Sequence, residues 1–287
     1  MVVRFVAITF CLCIAAQAYA QTKVFDDAGF AVELPTPPVK IISLAPHLTE
    51  ILFSVGVGHK VVGTVRFSDY PSEASSIPVL GDAFAINLEF ILSLDPDLIL
   101  AWYTGGASTT VSKLRKLGIP VFIDNAPDLA SIGTSLRKIG LLVGQRERGE
   151  LLEQQFSTRL NSFRESNDGP KKKVFFQISD QQLFTVNDTH LIGQAISTCG
   201  GTNIFGSSDI PVPIVSTESV LIANPDIIII SKSSTDTGLP WLEKWETIEG
   251  YREKISFIDA ELISRPSMRI LMGIERLCQI ISLERHD

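Results

Sequence analysis

A pattern of one acidic residue, a short amphipathic turn and an apolar run occurs twice along this chain. The first copy runs from Glu89 to Leu100 (Glu-Phe-Ile-Leu-Ser-Leu-Asp-Pro-Asp-Leu-Ile-Leu) and the second from Glu218 to Ile229 (Glu-Ser-Val-Leu-Ile-Ala-Asn-Pro-Asp-Ile-Ile-Ile). In each copy the Pro-Asp pair ends the helical turn, because proline cannot continue a helix. The apolar run that follows is typical of a strand buried on both faces. The repetition predicts two α/β lobes of similar construction.

The segments around the first copy alternate between strand and helix patterns. A short hairpin is predicted over residues 23–34, with its turn at 27–29. Strands are predicted at 40–44, 61–65 and 121–123, and helices at 49–55 and near 109–116. Strands that alternate with helices at this spacing form a parallel sheet.

Between Asp128 and about Ser166 the pattern changes to a long helical stretch. Its apolar positions share one face of a helix: Leu151, Leu152, Phe156, Leu160 and Phe163. Three glycines at 140, 144 and 149 divide the stretch, and the second helix is expected to run from Gln145 to Glu165. We therefore predict an N-terminal lobe over 21–127, a connecting helical segment over 128–168 and a C-terminal lobe over 169–287. A single long helix between the lobes would resist hinge motion, since bending it breaks backbone hydrogen bonds.

The beginning of the chain indicates export. Arg4 is followed by an apolar stretch from Phe5 to Ala16 and by the small-residue pattern Ala18-Tyr-Ala20. This arrangement predicts a secretory signal peptide over residues 1–20, and the stretch is too short to span a bilayer comfortably. The mature protein is therefore expected to be periplasmic and soluble.

Two cysteines remain after the predicted cleavage, Cys199 and Cys278. An even pair in an oxidising compartment favours one disulfide, which would lie wholly within the second lobe. The alternative is two separate buried thiols. The pair is not a zinc site, because the CxxC spacing is absent.

The composition and the absence of several motifs argue against some classes of function. The chain is 45% hydrophobic and 20% charged with a net charge of -7, and an acidic surface argues against a nucleic-acid partner. The sequence contains no GxxxxGK[ST] loop and no GxSxG elbow, so no enzyme is predicted. The histidines are isolated and indicate no metal site, although His47 follows a predicted strand at the edge where α/β sheets bind ligands.

Five segments in a fixed order resemble one family of transport proteins. They are Ile41–Leu52 (Ile-Ile-Ser-Leu-Ala-Pro-His-Leu-Thr-Glu-Ile-Leu), Ser68-Asp-Tyr-Pro71, Asn87-Leu-Glu89 with Pro96-Asp-Leu-Ile99 and Trp102, Cys199–Phe205, and Val215-Ser-Thr-Glu218. Over about residues 40–279 the chain resembles the periplasmic binding proteins of vitamin B12, haem and ferric-siderophore importers, most closely the cobalamin-binding members. The resemblance implies two Rossmann-like lobes joined by a single long helix, the class III type, with ligand held between the lobes.

The resemblance implies a docking role for Glu89 and Glu218. Family members place one acidic residue on each lobe to pair with arginines of the ABC importer permease dimer in the inner membrane, and charge-assisted contacts to arginine fix orientation. The alternative from the residues alone is that each glutamate only favours the first turn of its helix, where the helix dipole attracts negative charge.

The resemblance also implies a ligand site that takes cobalamin or a related corrinoid as transported ligand, with no resident cofactor. Flat aromatic faces suit such a macrocycle. The matching aromatic positions are Phe67, Trp102 and Phe184, and Phe84 stands beside Ala83, where cobalamin binders can carry a tryptophan. Val212 replaces a second such tryptophan. Glu261 and Arg265 fall where the family has an acid and an arginine that reach amide and polar groups of the ligand. The alternative from the residues alone is that the aromatic side chains pack in the core and that Glu261 and Arg265 form a surface ion pair.

Other ligands and other classes of protein remain as alternatives. Haem would be held through an axial ligand from His47 or Tyr70, and a ferric siderophore by Arg66, Arg265 and Arg269. A periplasmic enzyme or chaperone on the same scaffold is a further alternative, because a fold does not determine a function. A purely structural surface protein is the last, and ligand-induced change in Trp102 fluorescence would exclude it.

Overall fold

A computed structural model describes residues 22–82, 85–103, 108–165, 171–178, 182–233 and 240–282. The predicted signal peptide, residues 1–20, and Phe84 lie outside the described residues. None of the described helices is long and apolar enough to cross a membrane.

A β-hairpin precedes the first lobe. Strand β1 (Thr22–Phe25) pairs antiparallel with β2 (Ala31–Leu34), as the sequence predicts. Asp26 Oδ1 accepts hydrogen bonds from the backbone of Ala28 and Phe30, and Gly29 adopts a φ of 84°. Glycine populates this left-handed region without a steric penalty, so the turn follows directly from the local sequence.

Four parallel strands form the sheet of the N-terminal lobe. The strands are β3 (Ile41–Ser43), β4 (Val61–Gly63), β5 (Leu98–Trp102) and β6 (Val121–Asp124), and they lie in the order β4-β3-β5-β6. Helices α1 (Pro46–Ser54), α2 (Leu88–Ser93) and α3 (Ser108–Lys116) connect them. The apolar run of β5 packs Leu98 and Leu100 into one core cluster and Ile99 and Ala101 into another, so this strand is buried on both faces.

Helix α1 begins three residues earlier than the sequence predicts. It starts at Pro46 instead of Thr49, because proline has a helical φ and is well suited to the first helical turn. The earlier start adds His47 to the helix, which also carries Glu50, and both side chains are buried.

Two helices follow the first lobe, and the second one connects the lobes. Helix α4 (Leu129–Leu142) and helix α5 (Arg146–Glu165) are separated by a turn at Gly144, whose φ is 80°. At the start of α5, Arg148 Nε donates to the carbonyl of Ser54 in the N-terminal lobe at 3.1 Å. Near its end, Arg159 pairs with Glu275 of the C-terminal lobe at 2.5 Å. With 20 residues, α5 is about 30 Å long.

The C-terminal lobe contains a second four-stranded parallel sheet. The strands are β7 (Lys173–Gln177), β8 (Thr202–Asn203), β9 (Ile227–Lys232) and β10 (Ile255–Asp259), in the order β10-β9-β7-β8. Its helices are α6 (Leu191–Thr198), α7 (Thr217–Ala223), α8 (Pro240–Glu246), α9 (Ala260–Ser264) and α10 (Ile270–Ser282). In both lobes the second strand flanks the first on one side, and the third and fourth strands follow on the other. The prediction of two similar α/β lobes is confirmed.

The two repeat copies form the same hydrogen bonds. Asp97 Oδ2 accepts from the backbone N–H of Lys40, just before β3, at 2.8 Å. Asp226 Oδ2 accepts from the backbone N–H of Lys173, at the start of β7, at 2.7 Å. The aspartate of each Pro-Asp pair therefore ties the beginning of one strand, β5 or β9, to the beginning of its parallel neighbour, β3 or β7.

A disulfide lies within the C-terminal lobe. Cys199 Sγ, directly after α6, is joined to Cys278 Sγ on α10 at 2.05 Å. The bridge is the one that the cysteine count favours, and it closes α6 against α10 without linking the two lobes.

Candidate functional site: the junction between the lobes

The segments that follow three strands meet where the two lobes contact each other. Glu50 lies on α1, which follows β3, and Asp69 follows β4. Both contact Arg265, which lies directly after α9 in the C-terminal lobe. Ligands bind at the carboxyl ends of parallel strands in open α/β sheets, so this junction is the candidate binding region.

Three aromatic side chains with exposed faces surround the N-terminal side of the junction. Phe67 is 63% exposed, Tyr70 44% and Trp102 42%. Phe67 also has a φ of 68°, a conformation that a bulky residue rarely adopts. The loop after β4 carries two of these rings, and Trp102 is the last residue of β5. Their exposure is unlike that of core aromatics and leaves flat apolar surface available to a ligand.

Phe184, the aromatic predicted on the other lobe, is less accessible. It is partly buried, and its backbone forms an isolated β-bridge with Ile214. The structure therefore provides ring surface mainly on the N-terminal side.

The buried side chain of His47 packs against Trp102. The imidazole is 4% exposed and meets the Trp102 ring edge-on, with centroids 5.6 Å apart and planes inclined at 81°. Its Nε2 lies 3.7 Å from Oδ2 of the fully buried Asp124. Among the described residues neither Nε2 nor the Asp124 oxygens have a hydrogen-bond partner. The hypothesis that His47 provides an axial ligand to iron is not supported, because its Nε2 faces the interior.

A partly buried ionic network crosses the junction. Arg265 is 9% exposed, and its Nη1 lies 3.0 Å from Glu50 Oε1 and 2.9 Å from Asp69 Oδ1. Its Nη2 lies 3.4 Å from Glu261 Oε2. The predicted neighbours Glu261 and Arg265 do come together, but Arg265 is buried, so they do not form a surface pair.

Arg269 joins the same network to an aromatic ring. Its Nη2 lies 2.7 Å from Glu50 Oε1 and 3.8 Å from Glu261 Oε2. Its guanidinium lies 4.1 Å from the centroid of the Tyr70 ring, which is a cation–π contact. Two arginines are thus matched with three carboxylates, those of Glu50, Asp69 and Glu261.

The network stabilises the charge on Arg265. Burial by itself would lower the pKa of this guanidinium, but the hydrogen bonds and charges of Asp69 and Glu50 outweigh it and raise the pKa above its ordinary value. Sequence reasoning missed Glu50 and Asp69. A signal for Glu50 was present, since it is a charged residue within the otherwise apolar segment Leu48–Leu52.

The two repeat glutamates lie away from this junction network. Glu89 and Glu218 are both exposed, and each is the second residue of its helix, α2 or α7. Hydrogen bonds from the backbone of Glu218 itself and from Ser216 lower the pKa of its carboxyl, and Lys244 contributes. Both side chains are therefore accessible at matched helix positions.

Metal ions in proteins are held by groups of side chains such as His, Cys, Asp and Glu. Within the described ranges, no group of three or more His, Cys, Asp and Glu side chains is placed to hold a metal ion.

The fold and the junction define a class of protein: two α/β lobes, joined by one long helix, with exposed aromatic surface and a polar network where they meet. The sequence profile described as periplasmic binding protein matches residues 41–267. The chain belongs to this family of periplasmic binding proteins.

Two relatives from different organisms are both named vitamin B12-binding protein. The chain is 32% identical to a vitamin B12-binding protein of Vibrio cholerae over 252 residues, covering 87% of this chain and 91% of the relative. It is 32% identical to the vitamin B12-binding protein of Yersinia pestis over 245 residues, covering 84% and 85%.

Solved structures share the fold. The periplasmic vitamin B12 binding protein BtuF of Vibrio cholerae superposes with a TM-score of 0.77 at 32% identity, covering 85% of this chain and 97% of that chain. The periplasmic heme-binding protein RhuT from Roseiflexus superposes with a TM-score of 0.75 at 23% identity, covering 84% and 97%. The expectation of a class III binding-protein architecture is confirmed.

Proposed function

We propose that the protein captures cobalamin or a related corrinoid between its lobes and delivers it to the permease of an ABC importer. The observation that carries this proposal is the group of three exposed aromatic faces at the junction, those of Phe67, Tyr70 and Trp102. A corrinoid is a large, partly apolar ring system, and such rings bind well to flat aromatic surface. The names of the relatives at 32% identity support the same ligand.

The charge balance of the junction supports a ligand that is not strongly anionic. Of the three arginines named for a siderophore, Arg66 is exposed, but Arg265 and Arg269 are already paired with Glu50, Asp69 and Glu261. An anionic ferric siderophore would need arginines that are free to pair with it. An amide-bearing corrinoid needs only hydrogen bonds, and the partly exposed Glu261 carboxylate is placed to accept one.

Haem is the second candidate, and one observation favours it. Tyr70 is 44% exposed at the junction, and a tyrosine hydroxyl is one of the axial ligands that haem iron takes in proteins. His47 does not share this role because it is buried against Asp124.

Delivery is proposed to use Glu89 and Glu218. Each is exposed at the same position of a matching helix in its own lobe, which suits a partner with paired basic sites. We further propose that residues 1–20 are a cleaved signal peptide and that the mature protein acts in the periplasm without catalysis.

Calorimetric titration of the mature protein with cyanocobalamin tests the ligand, with haemin and a ferric hydroxamate as separate titrants. We expect saturable one-to-one binding of cyanocobalamin without conversion. Binding of haemin alone, with a Soret band that changes in Tyr70→Phe, would move the assignment to haem. Conversion of the bound compound would indicate an enzyme.

A further inference from the structure

One carboxylate of the N-terminal lobe binds three donors of the C-terminal lobe. Glu50 Oε1 accepts from Arg265 Nη1 at 3.0 Å and from Arg269 Nη2 at 2.7 Å. Its Oε2 accepts a short hydrogen bond from the hydroxyl of Ser267. Both oxygens are therefore used, and all three donors lie within five consecutive residues that are more than 200 positions away in the sequence.

Glu50 itself is inaccessible to a ligand. It is 2% exposed, whereas its partners in the network, Asp69 and Glu261, have side chains that are 48% and 26% exposed. A buried carboxylate is costly unless it is paired and fully hydrogen-bonded. Glu50 meets this condition only when the segment Arg265–Arg269 is held against α1, so its charge selects one arrangement of the junction.

Through its partners, Glu50 reaches two residues proposed to contact the ligand. Arg265 is one of them and is held directly. Tyr70 is the other and is reached through Arg269, whose guanidinium contacts Glu50 on one side and the Tyr70 ring on the other. These two residues belong to different lobes, so one buried group relates the two sides of the proposed site.

We propose that Glu50 is a positioning residue for ligand binding, which acts by fixing Arg265 and Arg269 across the junction and does not itself contact the ligand. The inference rests on the proposed function, because affinity for a corrinoid is its main readout. It concerns a residue that sequence reasoning did not connect with the site.

A double-mutant cycle with cyanocobalamin tests the proposal. Glu50→Gln keeps the side-chain shape but removes the charge, and we expect it to weaken the affinity of the folded protein about tenfold or more. Because Glu50 holds Arg269 as well as Arg265, the loss of affinity in the double variant Glu50→Gln, Arg265→Ala should be smaller than the sum of the two single losses, since residues in one network are not additive. The conservative Glu50→Asp variant should recover part of the loss.

Glu153→Gln is the matched control. Glu153 also pairs with an arginine between two helices, Arg137 at 3.0 Å, but it lies on the connecting helix. We expect this variant to bind as the wild type does. If Glu50→Gln folds poorly, Ser267→Ala removes only the hydroxyl donor and should weaken affinity by about two- to fivefold.

Two results would overturn the positioning role. Unchanged affinity in Glu50→Gln, with only a lower unfolding temperature, would make the residue purely structural. Additive losses in the cycle would show that Glu50 does not act through Arg265.

If the wild-type protein does not bind cyanocobalamin, the proposed function fails, and amide hydrogen exchange without ligand tests the network instead. We then expect faster exchange at residues 267–272 in Glu50→Gln but not in Glu153→Gln, and equal protection in both variants would contradict the proposal.

Discussion

The ring of the buried His47 and the ring of Trp102 form a T-shaped contact, with centroids 5.6 Å apart and an interplanar angle of 81°. Trp102 therefore has one side fixed by the protein while 42% of its surface stays exposed. A ring that is held in place loses little conformational freedom when a ligand packs on it.

Trp102→Ala is expected to weaken cyanocobalamin binding at least about tenfold, because tryptophans in recognition sites commonly contribute this much. Stability should change by less than about 2 kcal/mol, since the ring is partly exposed already. Calorimetry gives the affinity and urea unfolding the stability. Phe25→Ala, at an exposed aromatic of the hairpin, should leave the affinity unchanged.

Glu89→Ala and Glu218→Ala are each expected to weaken binding to the isolated permease about tenfold, since charge-assisted hydrogen bonds contribute about 1.5 to 3 kcal/mol. Ligand affinity should be unaffected, because both residues lie outside the junction network. Glu147 is the control. It is also an exposed second residue of a helix, but that helix is the connector α5. Equal loss of docking in Glu147→Ala, or loss of ligand affinity in the two lobe variants, would count against specific docking.

The pairing of α4 with α5 depends on a close approach of two glycines. A Cβ atom on Gly140 would lie 2.7 Å from the Cα of Gly149. Gly140→Ala is therefore expected to destabilise the protein by about 1 to 3 kcal/mol through overpacking. On the same helix, a Cβ on Gly133 would make ordinary contacts of 3.4 Å and longer, so Gly133→Ala should be neutral or stabilising by up to about 1 kcal/mol. Urea unfolding of the two variants distinguishes these outcomes.

Reduction of the disulfide is expected to destabilise the C-terminal lobe. Cys199 and Cys278 are separated by 79 positions, and the chain-entropy model gives about 4.5 kcal/mol for a loop of this length. Unfolding with and without reductant measures the difference, and Cys199→Ser with Cys278→Ser should reproduce the reduced state. Identical unfolding curves would show that the bridge does not constrain the unfolded chain.

The partly buried imidazole of His190 is expected to make the folded protein less stable in mild acid. Its Nδ1 accepts a hydrogen bond from the backbone of Ile192 at the start of α6, and burial lowers its pKa below the ordinary value of about 6.5. At pH values above about 6.5, the imidazole is neutral in both the folded and the unfolded state. As pH falls below this value, the unfolded state binds the proton first, so the free energy of unfolding decreases. Unfolding between about pH 7.5 and 5.5 should show this decrease, and it should be smaller in His190→Asn, which retains a capping side chain without titrating.

Much of the fold followed from local pattern. The apolar runs beginning at Leu98 and Ile227 are strands because each has turn residues before it and buried faces on both sides. The glycine at 144 and the apolar face of α5 were sufficient to predict the connector. The pairing of α4 with α5 was not predictable, because it depends on which backbone surfaces approach each other.

The candidate site was only partly predictable. Resemblance indicated Arg265 and Glu261, and the structure places them together. The burial of His47 against Asp124, and the contacts of Glu50, join residues that are far apart in sequence. No local pattern encodes such contacts.

The sequence by itself determined the two-lobed α/β plan, the connecting helix and the accessible position of the paired glutamates, because these depend on periodicity, helix ends and turns within a few residues. Only the tertiary structure decided which charged groups are buried together. Glu50 and Arg265 are separated by 215 positions, and the cost of burying either charge alone is offset only after both lobes have formed and met.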